Sequence, residues 1–243
     1  VSASGKQSAA PLSGTINALG KTAPPSNVAN MTATLDPDVG VSLNWTPVAD
    51  LDLQGYEIWQ GPAFGSGTKL GVFAATAKSV GLVSAGTTTW YIKALDTSGS
   101  YSVNATSASI TVVAAGATSI SGVFANDSLI MNWTPVAGSL ATAYYEIRHG
   151  TTTTTWANAT VHGTVQGTAY TVKGGWSGTR RFFIAAVDIK GNVGTAATYD
   201  AVITAPSQPT ITQQVIDNNV LLQWTDATAT LPIVSYELRR GST

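Results

Sequence analysis

The sequence contains no cysteine, only two histidines and few charged residues. Its 243 residues include 12 Lys and Arg and 13 Asp and Glu, so charged residues form 10% of the chain and the formal net charge is −1. Without cysteine the chain can form no disulfide, no cysteine-ligated zinc site and no thiol nucleophile. So small and balanced a charge argues against a basic surface for nucleic acid. We therefore expect no nucleic-acid partner.

Two kinds of segment are also missing. No run of about 18 apolar residues occurs, so we expect no membrane-spanning segment. The first ten residues lack the charged start and apolar stretch of a signal peptide, and the first residue is Val rather than Met. We interpret the chain as an internal piece of a longer protein.

The composition favours strands over helices. The chain has 35 Thr and 24 Gly, and 44% of its residues are hydrophobic. Thr and Val have a restricted first side-chain torsion and suit pleated strands, whereas the long side chains that fill ordinary helices are sparse. No segment shows a sustained apolar period of about 3.6 residues. We predict an all-β protein.

A repeated pattern divides the chain into three similar parts. The motif Trp-Thr-Pro-Val-Ala occurs twice and a looser copy once, which places tryptophans at Trp45, Trp133 and Trp224. A Tyr-Glu-Ile or Tyr-Glu-Leu segment follows after 11 or 12 residues, at Tyr56, Tyr145 and Tyr236. A third landmark begins at Trp90 and at Phe182 and ends in Asp-x-x-Gly, a turn in which Asp bonds the backbone and Gly takes a positive φ.

Apolar and polar residues alternate around these landmarks. Val41, Leu43 and Trp45 alternate with Ser42 and Asn44, which is the period of a strand with one buried face. Each repeat of about 90 residues therefore predicts an immunoglobulin-like sandwich of short strands. The predicted structural core contains the eight aromatic landmarks Trp45, Tyr56, Trp90, Trp133, Tyr145, Phe182, Trp224 and Tyr236.

The early tryptophan, the Tyr-Glu-Ile strand and the later Ala-x-Asp-x-x-Gly turn resemble fibronectin type III modules, a family that needs no disulfide. The resemblance implies tandem β-sandwiches, two complete and one truncated. Residues 1–22 are then the end of a preceding domain with a linker, residues 23–114 module 1, and residues 115–204 module 2. Residues 205–243 are the N-terminal part of module 3. The short linker at 114–117 implies a semi-rigid arm.

The phrase Gly20-Lys-Thr-Ala-Pro-Pro and the segments 45–59 and 90–102 are similar to modules of host-specificity (J-like) proteins at the tail tip of tailed phages. That resemblance implies a structural part of a tail tip or central tail fibre in the virion, as a spacer between the tail hub and the receptor-binding end. It also implies a homotrimer that contacts other tail proteins, with any host receptor bound by regions outside this chain.

Fold alone does not fix function, and two other settings carry modules of the same fold. One is an accessory part of a secreted bacterial carbohydrate-active enzyme, and the other is an adhesin on the bacterial surface. A catalytic domain beside the modules favours the first setting, and a signal peptide with a wall anchor favours the second.

No arrangement of residues predicts catalysis or a cofactor. His149 and His162 have no nucleophile arrangement around them, and no Gly-x-Ser-x-Gly, His-Glu-x-x-His or phosphate-binding loop occurs, so we expect surface histidines and no enzyme activity. The pairs Asp36–Asp38 and Asp50–Asp52 offer oxygen ligands on loops, but Ca²⁺ takes six to eight oxygens. We interpret these acids as turn residues and predict no metal site.

Several large side chains are candidates for contacts with partners. If Tyr56 faces the core, the residue three positions later faces outward, which makes Trp59, Arg148 and Arg239 possible interface residues. The alternative is packing beneath a neighbouring loop or over the sheet edge. Trp156 and Trp176 lie in Thr- and Gly-rich segments, where they either bind the face of a sugar or pack against their own loops.

Overall fold

The computed structural model describes residues 23–115, 119–135 and 137–239. Within these ranges it confirms the all-β class, and the single helix is the 3-10 turn Trp156–Asn158. The strands are β1 (Ala29–Asp36), β2 (Gly40–Thr46), β3 (Leu53–Ala63), β4 (Ser66–Phe73), β5 (Ala77–Gly81), β6 (Gly86–Asp96), β7 (Thr106–Val112), β8 (Ile120–Ala125), β9 (Ser128–Trp133), β10 (Thr142–Gly150), β11 (Thr160–Val165), β12 (Ala169–Lys173), β13 (Gly178–Asp188), β14 (Ala197–Ile203), β15 (Ile211–Ile216) and β16 (Asn219–Trp224). No helix among the described residues has the length and apolar character needed to cross a bilayer.

The first repeat consists of two sheets. One has the strand order β1-β2-β5 and the other the order β4-β3-β6-β7. The chain thus leaves the first sheet after β2, forms two strands of the second sheet, returns for β5 and ends with β6 and β7. Seven strands in two sheets with this crossover form an immunoglobulin-like sandwich of the fibronectin type III kind.

The second repeat has the same topology. Its sheets have the orders β12-β9-β8 and β11-β10-β13-β14, which match the first repeat strand for strand. In the third repeat, β15 and β16 pair as an antiparallel hairpin. The chain therefore contains two complete sandwiches and, within the described part of the third repeat, its first hairpin.

Turn residues explain how these hairpins close. Asn126 and Asp127 join β8 to β9 with φ of 46° and 63°, and Asp217 and Asn218 join β15 to β16 with φ of 47° and 61°. Positive φ at both central residues belongs to the two-residue turn whose twist suits a hairpin, and Asn and Asp adopt it more readily than other side chains. Each turn thereby fixes the register of the strands on either side.

The predicted Asp-x-x-Gly turns are confirmed in both complete repeats. Asp96 accepts backbone N–H bonds from the residues two and four positions later at 2.9 and 2.8 Å, and Asp188 accepts the equivalent bonds at 2.9 Å each. Gly99 and Gly191 have φ of 88° and 91°, which side chains rarely adopt. These turns place the last strand of each repeat beside the strand before it.

The core of each complete repeat lies between its two sheets. Trp45 packs edge-on against Tyr56 with ring centroids 5.4 Å apart, and Trp133 packs in the same way against Tyr145 at 5.3 Å. The hydroxyl of Tyr56 also accepts the backbone N–H of Val48 at 2.8 Å. The six aromatic landmarks of these two repeats are all buried: Trp45, Tyr56, Trp90, Trp133, Tyr145 and Phe182.

The third repeat differs from this prediction. Trp224 and Tyr236 contact each other with ring centroids 6.0 Å apart. However, 45% of Trp224 and 39% of Tyr236 remain exposed, so neither is a core residue among the described residues. The physical reason is that the described part of the third repeat has one hairpin, and no second sheet faces it.

The described chain forms two compact units. The first contains residues 23–32, 43–78 and 89–109, and the second contains residues 33–42, 79–88 and 110–239. The division cuts through β1, β2, β5, β6 and β7, so it does not test the module boundaries predicted near residues 114 and 204, which stay predictions. The predicted preceding domain at 1–22 lies outside the described residues, as do positions 116 and 117 of the predicted linker.

Substitution of Trp45 by Ala should weaken its surroundings far more than substitution of Trp224, although the two occupy equivalent repeat positions. Trp45 is 5% exposed and Trp224 is 45% exposed. Removing a large aromatic side chain from a packed core costs about 3–5 kcal/mol, and at the half-exposed position we expect about 1 kcal/mol or less. Hydrogen exchange in β2 and β16 measures both local free energies. Equal losses would contradict the difference in packing.

Candidate functional site

The three residues predicted as interface candidates share one arrangement. Trp59, Arg148 and Arg239 each lie two positions after a glutamate, and each donates a side-chain N–H to that carboxylate at 2.6 Å. On a strand, residues two apart point to the same face of the sheet. In β3 and β10 the donor and the acceptor therefore stand side by side on the face turned away from the core.

Glu57 is the centre of the largest of these clusters. Although it lies on the outer face of β3, only 3% of it is exposed. Its Oε1 accepts the indole N–H of Trp59 at 2.6 Å, and its Oε2 accepts bonds from the Lys69 ammonium at 2.6 Å and the Tyr101 hydroxyl at 2.8 Å. Three donors from three parts of the first repeat thus converge on one carboxylate.

The surroundings of Glu57 favour its charged form. Burial by itself raises the pKa of the carboxyl, but the hydrogen bonds from Lys69, Trp59 and Tyr101 outweigh burial and hold that pKa below its usual value. The hydrogen bond from the Tyr101 hydroxyl to Glu57 in turn raises the pKa of that hydroxyl. The stabilisation that the charged Glu57 contributes is therefore present above its unfolded pKa, and it is lost as the pH falls through the lower pKa of the folded state.

Aromatic rings cover this carboxylate. Phe64 lies between Trp59 and Tyr101, with ring centroids 6.2 and 5.6 Å away, and the Lys93 ammonium lies 5.4 Å from the Phe64 centroid. We call Trp59, Phe64 and Tyr101 the aromatic cover. Because Trp59 and Tyr101 are hydrogen-bonded to Glu57, the cover is held in one arrangement and forms an ordered apolar patch on the outer sheet.

In the second repeat, a guanidinium takes the place of the indole. Arg148 bonds Glu146 through Nε at 2.6 Å and donates from Nη1 to the carbonyl oxygen of Trp156 at 3.0 Å. Its guanidinium also lies 4.3 Å from the centroid of the Trp156 ring, whose other contact is with Phe183 at 6.4 Å. Arg148 and Trp156 therefore pack onto their own repeat, as the packing alternative for these residues predicts.

In the third repeat, the pair lies open to solvent. The side chains of Arg239 and Glu237 are 81% and 71% exposed, although the Nε–Oε1 distance of 2.6 Å equals that in the other repeats. Exposed ion pairs of this kind contribute little to stability. The pair therefore recurs with the repeated sequence, whereas its burial depends on the residues that cover it.

The three glutamates were missed by the reasoning from sequence. Each is the residue after a predicted core tyrosine, so the repeated Tyr-Glu carried the signal, but alternation places that residue on the outer face and names no partner for it. The other two bonds to Glu57 come from β4 and from the segment after β6. Their contribution depends on strand register, which alternation does not specify.

A cleft of about 350 Å³ opens in the second repeat beside the end of β10 and the start of β13. His149 lies in its wall, packed against His162 at 5.3 Å and stacked on Phe182 at 6.3 Å between ring centroids. Burial, and then the charge of Arg180, lowers the pKa of both histidines. His162 lies at the surface as expected, although Tyr170 and Phe182 pack against its ring at 5.7 and 6.3 Å and remove part of it from water. His149 is half-buried by the rings around it.

Trp176 forms another part of this wall. Its ring lies 5.8 Å from Phe182 and 6.4 Å from Phe124, and the guanidinium of Arg180 covers it at 4.8 Å. These contacts hold the face of Trp176 against its own repeat. They match the loop-packing alternative rather than a ring open to a sugar.

The acids considered as metal ligands have local roles. Asp36 Oδ1 accepts the backbone N–H groups of Asp38 and Val39 at 2.9 and 3.0 Å, which closes the turn before β2. Asp50 Oδ2 accepts the N–H of Ser26 at 2.8 Å. Over the described ranges, no group of three or more His, Asp or Glu side chains is arranged to hold a metal ion.

Comparison with known proteins gives partial matches. No protein-family model matches the chain. Over 211 residues, 80% of the chain, the sequence is 28% identical to chitinase A1 of Niallia circulans, and the match spans 28% of that protein's length. A two-domain fibronectin type III segment of chicken tenascin is 19% identical, with a TM-score of 0.37, over 73% of this chain and 99% of that segment. The FN1–FN3 domains of chicken CNTN1 are 15% identical, with a TM-score of 0.34, over 75% of this chain and 68% of theirs.

Substitution of Glu57 by Gln should destabilise the first repeat, whereas substitution of Glu237 by Gln should have no measurable effect. Glutamine has no charge to pair with the Lys69 ammonium, and its NH2 group places a donor where Glu57 now accepts one, so we expect a loss of about 1–3 kcal/mol. Glu237 is the matched control because it follows the equivalent tyrosine of the third repeat and its side chain is 71% exposed. Hydrogen exchange in β3 and near residue 237 provides the measurement. An unchanged β3 would show that the carboxylate cluster contributes nothing.

Proposed function

We propose that this chain is a non-catalytic structural arm, in which tandem fibronectin type III modules hold the neighbouring parts of a larger protein at a defined spacing. The observation that carries the proposal is the hydrogen bonding where the first repeat ends and the second begins. A flexible linker leaves its backbone groups to water. A bonded junction restricts rotation, which a spacer requires.

The segment after β7 bonds to two loops of the second repeat, one after β9 and one before β14. The N–H of Val113 donates to Ser139 Oγ at 2.8 Å, and the N–H of Ser139 donates back to the Val113 carbonyl at 2.9 Å. The N–H of Thr195 donates to the Ala115 carbonyl at 3.2 Å. All these residues belong to the second compact unit. The connection therefore runs along the second repeat before it reaches β8.

Two loops of the first repeat that belong to this same unit add further bonds. The N–H of Ala141 donates to the carbonyl of Pro37 at 3.0 Å, and the N–H of Ala85 donates to Asn192 Oδ1 at 3.0 Å. Because the bonds come from loops as well as from the connection, bending at this point breaks several of them together. This arrangement supports a stiff joint.

The setting we favour for this arm is a phage tail tip or central tail fibre. Its support is the similarity of the 45–59 and 90–102 segments to the modules of tail-tip host-specificity proteins. In that setting the chain belongs to the virion and assembles with two further copies of itself and with other tail proteins. It supports host attachment by carrying a receptor-binding end. A chain in which only 10% of the residues are charged suits packing against sister chains.

A second setting is favoured by the sequence match to chitinase A1. There, the modules are accessory parts of a secreted bacterial carbohydrate-active enzyme and hold its catalytic domain at a defined spacing. The stiff joint serves this role equally, because both settings need a defined spacing. A bacterial adhesin is a third setting with the same mechanical requirement.

Substitution of Gly194 by Ala should loosen the junction, whereas substitution of Gly167 by Ala should not. A Cβ at Gly194 would overlap the carbonyl oxygen of Ala115, the acceptor of the Thr195 bond, whereas a Cβ at Gly167 meets no atom within 4 Å. We expect faster hydrogen exchange at Thr195 and separate rotational diffusion of the two repeats by NMR relaxation for the Gly194 variant alone. Unchanged relaxation would contradict a stiff joint.

Mass spectrometry of purified virions distinguishes the settings. For a phage whose genome encodes this chain, we expect its peptides in the particles, at about the abundance of other tail-tip proteins. Absence from virions, with the chain found instead in culture supernatant on a polypeptide that has a catalytic domain, would replace the phage setting by the enzyme setting. Negative-stain images of the full-length protein as a globular monomer would contradict the trimer.

A further inference from the structure

The cleft of the second repeat has no assigned role in a structural arm. It has a volume of about 350 Å³, within the range of sites for small ligands, and it lies between the loop after β10 and the start of β13. Its wall includes His149, Thr151, Asn158, Trp176, Thr179 and Arg180. None of the residues that line it carries a carboxylate.

Arg180 is the charged group of this wall, and within the described residues it has no acidic partner. Its neighbour Arg181 shows the contrast, because it forms a two-pronged pair with Asp200 at 2.7 Å for both bonds. Arg180 instead packs over Trp176, with its guanidinium carbon 4.8 Å from the ring centroid, and no described residue accepts a hydrogen bond from its side chain. A guanidinium fixed in this way matches a carboxylate, which accepts two parallel N–H bonds.

Neutral polar groups surround this guanidinium. Among the described residues, the side chains of Asn158, Thr160 and Thr179 form no hydrogen bond within the protein, and all three line the cleft. Amide and hydroxyl groups both donate and accept, so they suit a ligand that carries hydroxyl groups. His149 Nδ1 is a further polar atom near the wall with no partner in the described residues.

The two histidines add little positive charge to the cleft, so its charge comes from Arg180. Burial, and then the charge of Arg180, lowers the pKa of His149 and His162, so both rings are predominantly neutral at pH 7. One fixed positive charge suits one carboxylate. A phosphate group carries up to two negative charges and is held by several cations or backbone N–H groups, so it fits this wall less well.

We propose that the cleft binds an acidic saccharide, with the carboxylate of a uronic-acid-type sugar on Arg180 and its hydroxyl groups on Asn158, Thr160 and Thr179. This site is independent of the spacer role, because it lies within the second repeat and uses no residue of the junction. The arm then carries a glycan contact of its own along its length.

An NMR titration of the whole ¹⁵N-labelled chain tests the proposal. The probes are sodium glucuronate, glucose and sodium acetate, at pH 7 and equal ionic strength. We expect saturable shifts of the Thr151, Asn158, Thr179 and Arg180 amides with glucuronate, at a dissociation constant in about the millimolar range. Glucose and acetate should each bind at least about tenfold more weakly. No saturable shift with glucuronate would overturn the proposal, and so would equal binding of acetate or of glucose.

Variants assign the effect to the cleft. Substitution of Arg180 by Gln should weaken glucuronate binding by about tenfold or more. Substitution of Lys190 by Gln removes the same charge at an exposed turn and should leave binding unchanged. If loss of the contact with Trp176 unfolds the Arg180 variant, substitution of the exposed Asn158 by Ala takes its place, with an expected loss of about threefold to tenfold. Unchanged binding in a folded Arg180 variant, or in the Asn158 variant, would overturn the proposal.

Discussion

Both complete repeats depend on the packing of one tryptophan against one tyrosine across their two sheets. The tryptophan lies on the second strand and the tyrosine on the third, and these strands belong to different sheets. The pair therefore joins the layers and removes two large rings from water, in a chain that has no cysteine for a disulfide. In the third repeat the same two rings meet but stay exposed, because the described residues supply no facing sheet.

The fold could be predicted from the sequence because apolar and polar residues alternate along the strands that have one buried face. Val41, Leu43 and Trp45 are buried and the residues between them are not, as a period of two requires. The same reasoning placed Trp224 in a core, because alternation states which face is apolar and not whether a second layer is present. Whether a strand is buried depends on the strands that pack against it. The repeat pattern shows that the third repeat has the same residue types, but it does not show that a facing sheet is present.

The contacts on the outer faces of the sheets could not be predicted from the sequence, because they depend on strand register. Glu57 is buried by residues up to 44 positions away, among them Tyr101, and their approach depends on the register of β3, β4 and β6. The cleft likewise combines a loop near residue 151 with the start of β13, which are separated in the sequence and joined only by the sheet. A local pattern predicts which face of a strand is buried. A cleft of this kind forms where two segments distant in the sequence meet at the same edge of the fold, which a local pattern does not predict.

The recurring pair of a glutamate with a donor two residues later has a consequence for how such proteins evolve. An indole serves as the donor in the first repeat and a guanidinium in the second, and each bonds a carboxylate of its own repeat. A module that recombination moves into another chain therefore takes the glutamate along with its donor. It leaves no unpaired partner of that donor behind. This outer-face pair therefore needs no compensating substitution when its module changes neighbours, unlike the hydrogen bonds that join one repeat to the next.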